Sequence, residues 1–571
     1  MKLLLIILFY LLFILYYYNV NATISNINYR PKGNNPLLYE PGTDPIIHLD
    51  ADTFVDTVLR PDKEKAYLVE FYKDWCGYCR RFMPWYKVLA EAVKSWPFVQ
   101  IAAINCADAY NVKICRANDI PTVPKLKYFS RNATSFSDGQ VIEHSYNSAL
   151  DMRQKLHNKL MEEFDKEINE GNFNYYLSEL QYERRCKFAK LCSTSINAPS
   201  KSVYAPTFSY SVNNQMEDPW EGVSNETQYL VYIFERNPEK GLPFTLDLLF
   251  FKPQVEVHST LTKLHELIQP LMEQINQTEQ AEAHAKKPIN VLDCNQNPEG
   301  CKQLFYVSET DMLKAIHTAL LDEVISSGGN ELDTQRILNL KKFLDLLIQR
   351  FPRKTFERFL PQTHPKSLSV GKPLTWSLKA IQVFIRMRQF LDKNKIITMD
   401  NWKNEFDNAK AENSEPFPIK SDWEHCKGSK PIFRGFTCGL WTTFHAMTVQ
   451  AYLSNEQEYL KPLKAIQSWV SSFFSCSGCR RHFMLMTTEK FPMNEKNIKN
   501  QEDIVIYLWK AHNIVNARLH GDEATEDPQF IKEQFPPNFL CPECKDLKGE
   551  LDQERTLNFL LQFSTNIKPR Q

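Results

Sequence analysis

Hydrophobic positions along this chain alternate between two periods, and the switches outline its architecture. Residues 66–72, Ala-Tyr-Leu-Val-Glu-Phe-Tyr, are β-rich and almost wholly apolar, the pattern of a buried strand. After a short polar break, Phe82, Trp85, Leu89 and Val93 recur at helical spacing and predict a helix over 79–94. Residues 229–235 read as another buried strand and 244–251 as a short amphipathic segment. From 309 to 351 the pattern is helical. Leu313, Ile316, Leu320 and Val324 form one stripe, and Leu338, Leu340, Phe343, Leu344 and Leu347 another. Apolar residues at that spacing predict packed core, not a cofactor box. Residues 404–418 are polar and acidic and predict a linker. Further helices are predicted at 433–447, at 463–474, from Cys476 onward, and at 503–519.

The 503–519 helix carries an unusual face. Trp509, His512, Asn513 and Asn516 fall at i, i+3, i+4 and i+7, polar and aromatic where a core stripe would be apolar. Such a face covers something polar and flat, or is satisfied by water. A bound aromatic dinucleotide meets the first demand. Trp and His rings stack on it, Asn reads its amide edges, and Arg434 and Lys532 neutralise a pyrophosphate. A solvated helix face is the competing reading. Trp441 and His445, four residues apart, project from one face of the 433–447 helix.

Composition narrows the class. The 571 residues suggest several domains, and 43% hydrophobic content is enough for several cores. Lys+Arg and Asp+Glu both total 68, a balance that argues against a nucleic-acid binder or a polybasic membrane protein. Residues 1–22 hold one Lys, an apolar run from Leu3 to Tyr18, and Val20-Asn21-Ala22 as a small-residue cleavage site, which together predict a signal peptide. The run is short for a membrane span, and an uncleaved anchor is the alternative. Sequons at Asn132, Asn225 and Asn276 fit a secretory route.

Fourteen cysteines then become informative. They group as 76/79, 106/115, 186/192, 294/301, 426/438, 476/479 and 541/544, with cross-pairing among 186, 192, 294 and 301 left open, and three of these pairs are Cys-x-x-Cys. In an oxidising lumen they read first as disulfides; zinc is the lesser reading, since no pair has a second at ribbon distance. Redox chemistry at one or more Cys-x-x-Cys pairs is the functional alternative. Around the first pair, Cys76 falls on a strand-to-helix turn, where unpaired N–H groups and the helix dipole stabilise a thiolate. Cys79, one turn further in, is placed to resolve a mixed disulfide. Glu70, on the strand beneath, is either a buried acceptor for the Cys79 proton or a surface carboxylate.

Trp75-Cys-Gly-Tyr-Cys79, with Ile120 and Pro124 leading into Leu126-Lys-Tyr-Phe129, resembles the thioredoxin fold over residues 45–155. The resemblance implies a cis-proline at Pro124 opposite the active site. Lys125 stands where the family usually has Thr, and Pro121 is additional. Cys106 and Cys115 look structural.

Downstream, Cys426-x11-Cys438 spans Phe433-Arg-Gly and is followed by Leu440-Trp-x-x-Phe-His445. Cys476-Ser-Gly-Cys-Arg-Arg-His-Phe483 and His512-Asn-x-Val-Asn-Ala-Arg-Leu519 complete a pattern similar to the FAD-binding helical domain of Erv-type sulfhydryl oxidases. A thioredoxin module ahead of that domain resembles the quiescin sulfhydryl oxidases, and Asp527-Pro-Gln-Phe, Phe535-Pro-Pro and Cys541-x-x-Cys544 fit their pattern. The resemblance implies a multidomain α/β plus all-α chain. A redox-active thioredoxin domain spans 45–155, and a second, redox-inactive and short thioredoxin-like domain spans 156–290. A helical domain at 300–400 resembles a degenerate oxidase domain, and the FAD-binding helical bundle occupies 420–565. FAD contacts are implied at Arg434, Trp441, His445, His482, the run Trp509, Lys510, Ala511, His512, Asn513, Ile514, Val515 and Asn516, and at Lys532. Gly478 and Phe535 stand where that family has an acidic residue and a Trp.

The implied activity is a flavin-dependent thiol oxidase of the secretory pathway or extracellular space. Client thiols reduce Cys76/Cys79, Cys76 attacks Cys476, and Cys479 hands the electrons to FAD, from which O2 leaves as hydrogen peroxide. Cys426 and Cys438 look structural, and Cys541 and Cys544 structural or accessory. The expected partners are reduced protein thiols and O2, with no metal, no nucleic acid and no stable membrane span. A flavin-free disulfide isomerase is the first alternative, and a disulfide-rich binding protein with inert pairs the second.

Overall fold

The computed structural model describes residues 27–169, 230–235, 245–250 and 294–571, apart from 62, 95, 97, 145–148, 295, 328, 357–370 and 547–548. The leader, the sequons at Asn225 and Asn276, Cys186, Cys192 and most of 156–290 lie outside the described residues. Two compact units result: one of Met1–Glu163 with Asn290–Gln571, the other of Phe164–Ile289. In the second, β6 (Leu230–Glu235) and β7 (Thr245–Phe250) pair antiparallel, from Leu230 opposite Phe250 to Glu235 opposite Thr245.

The first unit begins with a five-stranded sheet in the order β1-β3-β2-β4-β5. Its strands are β1 (Ile47–Leu49), β2 (Ala66–Tyr72), β3 (Val99–Asn105), β4 (Lys125–Phe129) and β5 (Gln140–Ile142). β1, β3 and β2 run parallel, whereas β4 and β5 are antiparallel to their neighbours. All seven residues of β2 are buried, Glu70 among them, as a nearly continuous apolar run predicts for a central strand covered on both faces. The parallel step from β2 to β3 is made by α2 (Gly77–Val93), which follows the short α1 (Phe54–Val58) and buries Phe82, Tyr86, Leu89 and Val93. This is the thioredoxin arrangement. α3 (Val112–Ala117) is stapled to the end of β3 by the Cys106–Cys115 disulfide, Val123–Pro124 is cis, and α4 (Ala149–Asn169) closes the domain.

The remainder is helical. The 309–351 stretch breaks into α5 (Glu309–Leu320), α6 (Asp322–Ser327) and α7 (Thr334–Arg350), followed by α8 (Thr375–Lys393). Leu313, Ile316, Leu320 and Val324 are fully buried, but Leu338 is exposed and drops out of the second stripe. Residues 404–418 correct the linker expectation. α9 (Met399–Glu412) is a helix whose Trp402, Phe406 and Ala409 are buried, so three apolar positions at helical spacing outweigh the acidic surface around them. The Trp402 indole also donates to the Leu320 carbonyl at 2.8 Å.

α10 (Gly435–Leu453), α11 (Leu460–Phe473), α12 (Ser477–Leu485), α13 (Gln501–Leu519) and α14 (Gln553–Thr565) complete the unit. α10 packs along α5 at Gly439, where a Cβ would meet the Asp311 carbonyl at 2.8 Å and the Ala315 Cβ at 2.9 Å. α10, α13 and α14 share a core of Val449, Val505, Ile506, Trp509, Leu557, Leu560 and Leu561. Disulfides Cys294–Cys301, Cys426–Cys438 and Cys541–Cys544 staple local loops. Among the described residues no helix is long and apolar enough to cross a membrane.

Trp402→Ala removes a fully buried indole and leaves the Leu320 carbonyl without its donor. It should lower the unfolding free energy by about 3–5 kcal/mol in a denaturant titration followed by circular dichroism. A loss under about 1 kcal/mol would contradict this packing.

Candidate functional site

Cys76 is the N-cap of α2 and Cys476 the N-cap of α12. Each sits where its helix presents free N–H groups and the positive end of the dipole, so the two helix starts point at one sulfur cluster. Cys76, 400 residues from Cys476 in sequence, is disulfide-bonded to it with Cα atoms 5.5 Å apart. The Cys476 sulfur is equally in bonding contact with Cys479, Cα atoms 5.3 Å apart. A sulfur carries one disulfide at a time, so the three sulfurs form the array in which a Cys476–Cys479 bond exchanges for a Cys76–Cys476 bond. Cys76, Cys79 and Cys476 are all fully buried, and Cys79 is the free cysteine among the described residues.

The backbone holds the array in register. Val123, preceding the cis-proline, pairs with Cys476 as a parallel bridge: its N–H donates to the Ser475 carbonyl at 3.0 Å and its carbonyl accepts from the Ser477 N–H at 3.1 Å. The Cys476 segment is thus joined to the thioredoxin domain by a one-residue parallel bridge. Trp75 is wedged between Phe436 (4.9 Å) and Phe474 (5.3 Å). Lys73 forms a fully buried ion pair with Glu323 of α6, and Glu323 accepts from the Ser475 N–H (2.8 Å) and Oγ (2.9 Å). Arg80 donates to the Ile432 carbonyl, and Arg81 pairs with Asp522 at 2.7 Å. Lys73 and Glu323 belong to no recognisable motif; only the proximity of Lys73 to Trp75-Cys76 was a signal.

Glu70 lies buried in β2 beneath Cys79, accepts a hydrogen bond from Tyr39, and leaves its Oε1 unpartnered. Burial pushes the Glu70 carboxyl up to about 8, against the pull of the Tyr39 hydrogen bond. Burial first, and then the charge of Glu70, pushes the Cys79 thiol well above its ordinary value.

A second cluster lies in the helical bundle. Trp441 and His512 stack with ring centroids 4.1 Å apart and planes 5° apart, and His445 reaches His512 at 3.0 Å. Burial pushes His445 down to about 4 and His512 well below its usual range, so both are neutral. Arg434, at positive φ before α10, lies with its guanidinium 3.8 Å from the Phe530 ring centroid and its buried Nε unpartnered. Lys532 is pushed down to about 8 by burial and then by the neighbouring Arg80 and Arg434. Cations that repel one another, Arg80 buried and Arg434 and Lys532 half-buried, beside flat neutral rings, fit a group that is both aromatic and anionic.

The polar stripe of α13 finds a partner that neither cofactor nor water supplies. The Trp509 indole and the Asn513 amide donate to the Phe535 carbonyl, Asn513 also accepts from the Phe535 N–H at 2.9 Å, and Asn516 donates to the Glu533 carbonyl at 3.2 Å. These three clamp residues 533–535 and so position Lys532. Ala511 is buried, Val515 is half-buried, Lys510 and Ile514 are exposed, and Lys510 reaches Gln553. His482 stacks on Tyr78 of α2, centroids 5.9 Å apart. Cys541 and Cys544 are disulfide-bonded and buried.

Residues 45–151 match the Thioredoxin family and residues 438–536 the Erv1 / Alr family. The chain is 27% identical to Sulfhydryl oxidase 1 of Gallus gallus over 574 residues, covering 93% of this chain and 68% of that one. It is 29% identical to Sulfhydryl oxidase 1 of Rattus norvegicus (91% and 66%) and 26% identical to Sulfhydryl oxidase 2 of Homo sapiens (93% and 73%). The chain thus spans about two thirds of the length of these relatives. Among solved structures it resembles the Sulfhydryl Oxidase Fragment of Human QSOX1 with 32% identity and a TM-score of 0.38, covering 46% of this chain and 98% of that one.

Two outcomes follow from this geometry. Glu70 has its folded pKa raised above the ordinary carboxyl value, so its contribution to stability is complete below about pH 4.5 and is lost as pH rises through about 8. Glu70→Gln should therefore gain melting temperature over the wild type between pH 5 and pH 8.5, and a pH-independent difference would exclude a buried neutral carboxyl. Lys73→Met leaves Glu323 as a buried charge and should cost about 3–5 kcal/mol in urea unfolding. Adding Glu323→Gln should recover most of it, and no recovery would place the loss elsewhere than in the pair.

Proposed function

We propose that the chain, which matches the Thioredoxin and Erv1 / Alr families and is similar to sulfhydryl oxidases, oxidises protein thiols to disulfides by an internal relay. A client thiolate attacks Cys76 of the Cys76–Cys79 disulfide, and Cys79 leaves as a thiol, taking the proton of the neutral Glu70 carboxyl. A second client thiol completes the client disulfide and frees Cys76. The Cys76 thiolate then attacks Cys476, breaking the Cys476–Cys479 bond and releasing Cys479. Cys79 passes its proton to Glu70 and attacks Cys76, releasing Cys476, so that two electrons now rest on the Cys476/Cys479 dithiol. The bonding contact of Cys476 with both Cys76 and Cys479 carries this reading.

FAD is the cofactor that the second cluster fits. Trp441, His445 and His512 would present a flat neutral face, Arg434 and Lys532 would meet a diphosphate, and Trp509, Asn513 and Asn516 would act through the 533–535 clamp. When bound, FAD supplies the two-electron acceptor from which oxygen takes the pair as hydrogen peroxide. Cys476 lies fully buried against the thioredoxin domain and Cys479 half-buried beside it, which limits the access of water and stray thiols to the array. The secretory pathway is the proposed location. The apolar leader supports it, as do disulfides 106–115, 294–301, 426–438 and 541–544, which persist in an oxidising compartment.

Adding a dithiol to the purified protein without oxygen should bleach a flavin band. Cys76→Ser should slow the bleaching by on the order of 100-fold and Cys476→Ser should abolish it. A colourless protein that still exchanges disulfides would leave a flavin-free isomerase instead. Lys532→Met should lower the flavin content of the purified protein by about tenfold; unchanged content would remove Lys532 from the cofactor site.

A further inference from the structure

The two redox motifs contain one glycine each, and both glycines lie against the opposite domain. A Cβ built on Gly478 would clash with the ring carbons of Tyr78, and one built on Gly77 with the Thr525 methyl. Gly478 is in the first turn of α12 with no positive φ, so its backbone conformation does not call for glycine. Only the close approach of Tyr78 does. The Tyr78 ring is held from both sides: the Arg81 guanidinium stands 5.0 Å from its centroid, anchored by Asp522, and His482 stacks on it with planes 22° apart. Cys-Gly-Tyr-Cys thus carries a projection, and Cys-Ser-Gly-Cys the hollow that receives it.

We propose that Tyr78 and Gly478 are the specificity-determining pair for dithiol transfer between the domains. The missing side chain at 478 admits the Tyr78 ring, and only with the ring seated does the Cys76 sulfur come within bonding reach of Cys476. The proposal rests on the relay above and adds which residues select the internal donor over other thiols. A side chain at 478 displaces Tyr78, and with it the start of α2 and Cys76. Removing the Tyr78 ring makes room for that side chain, so the two substitutions compensate each other.

The test uses the full chain carrying Cys79→Ser and Cys479→Ser, so that only Cys76 and Cys476 can pair across the domains. In a glutathione redox buffer without oxygen, these two thiols and one oxidised glutathione exchange to the interdomain disulfide and two reduced glutathiones. Alkylation followed by intact-mass measurement then gives the effective concentration of one thiol at the other. Gly478→Ala should lower that concentration by at least about tenfold, although alanine favours the helix over glycine and so does not weaken α12 itself. In a Tyr78→Ala background the same Gly478→Ala change should matter by less than about threefold. An equal loss in both backgrounds, or no loss in either, overturns the pairing of Tyr78 with Gly478. A parent chain that forms no interdomain disulfide at all overturns the relay, and the proposal falls with it. Because the readout does not depend on flavin or oxygen, failure of the cofactor assignment leaves it intact.

Discussion

Disulfide exchange has no range. Electrons pass from one dithiol to another only when a thiolate sulfur touches the sulfur it attacks, so two cysteines separated by 400 residues must be brought to bonding contact. The arrangement around the sulfurs serves that contact. β2 and the oxidase helices place two helix N-termini nose to nose, and the Val123 bridge sets the register of the Cys476 segment to within one residue. A one-residue slip of that bridge would turn Cys476 to the opposite face.

Holding the contact has an electrostatic side. The junction buries Lys73 and Glu323 completely. Neither charge is tolerable alone in such a place, and together with the Ser475 donors they are satisfied. The helical segment that contributes Glu323 carries no redox cysteine, yet it reads the state of the junction: its carboxylate is fully partnered only while the thioredoxin domain is seated. Arg80 and Lys532 express the same principle with opposite effect, cations pressed together so that an anion between them is welcome.

Much of this was legible in the chain, for reasons that are local. The limits of β2 follow from an apolar run broken only by Glu70. Cys106–Cys115, Cys294–Cys301, Cys426–Cys438 and Cys541–Cys544 pair as their spacing suggests. What resisted reading is long-range. Lys73 and Glu323 are 250 residues apart and unremarkable in their own neighbourhoods. Helix α9 was hidden because its acidic and amide residues outnumber Trp402, Phe406 and Ala409. The stripe of α13 announced unmet polar demand correctly, but the pattern does not say who meets it, and residues 533–535 of the same chain do so for three of its four members. Gly478 looked like a mere departure from a pattern until Tyr78 was seen against it.

The strand-like pairing at Val123 carries one more implication. A backbone edge offers a single N–H and a single carbonyl at each register position, and at Val123 both are engaged by the Cys476 segment. No other extended chain can lie there at the same time. On the proposed relay, a client that needs the same edge and the Cys476 segment exclude each other in time, and throughput is then bounded by how often the edge is vacated, however fast the sulfur chemistry runs.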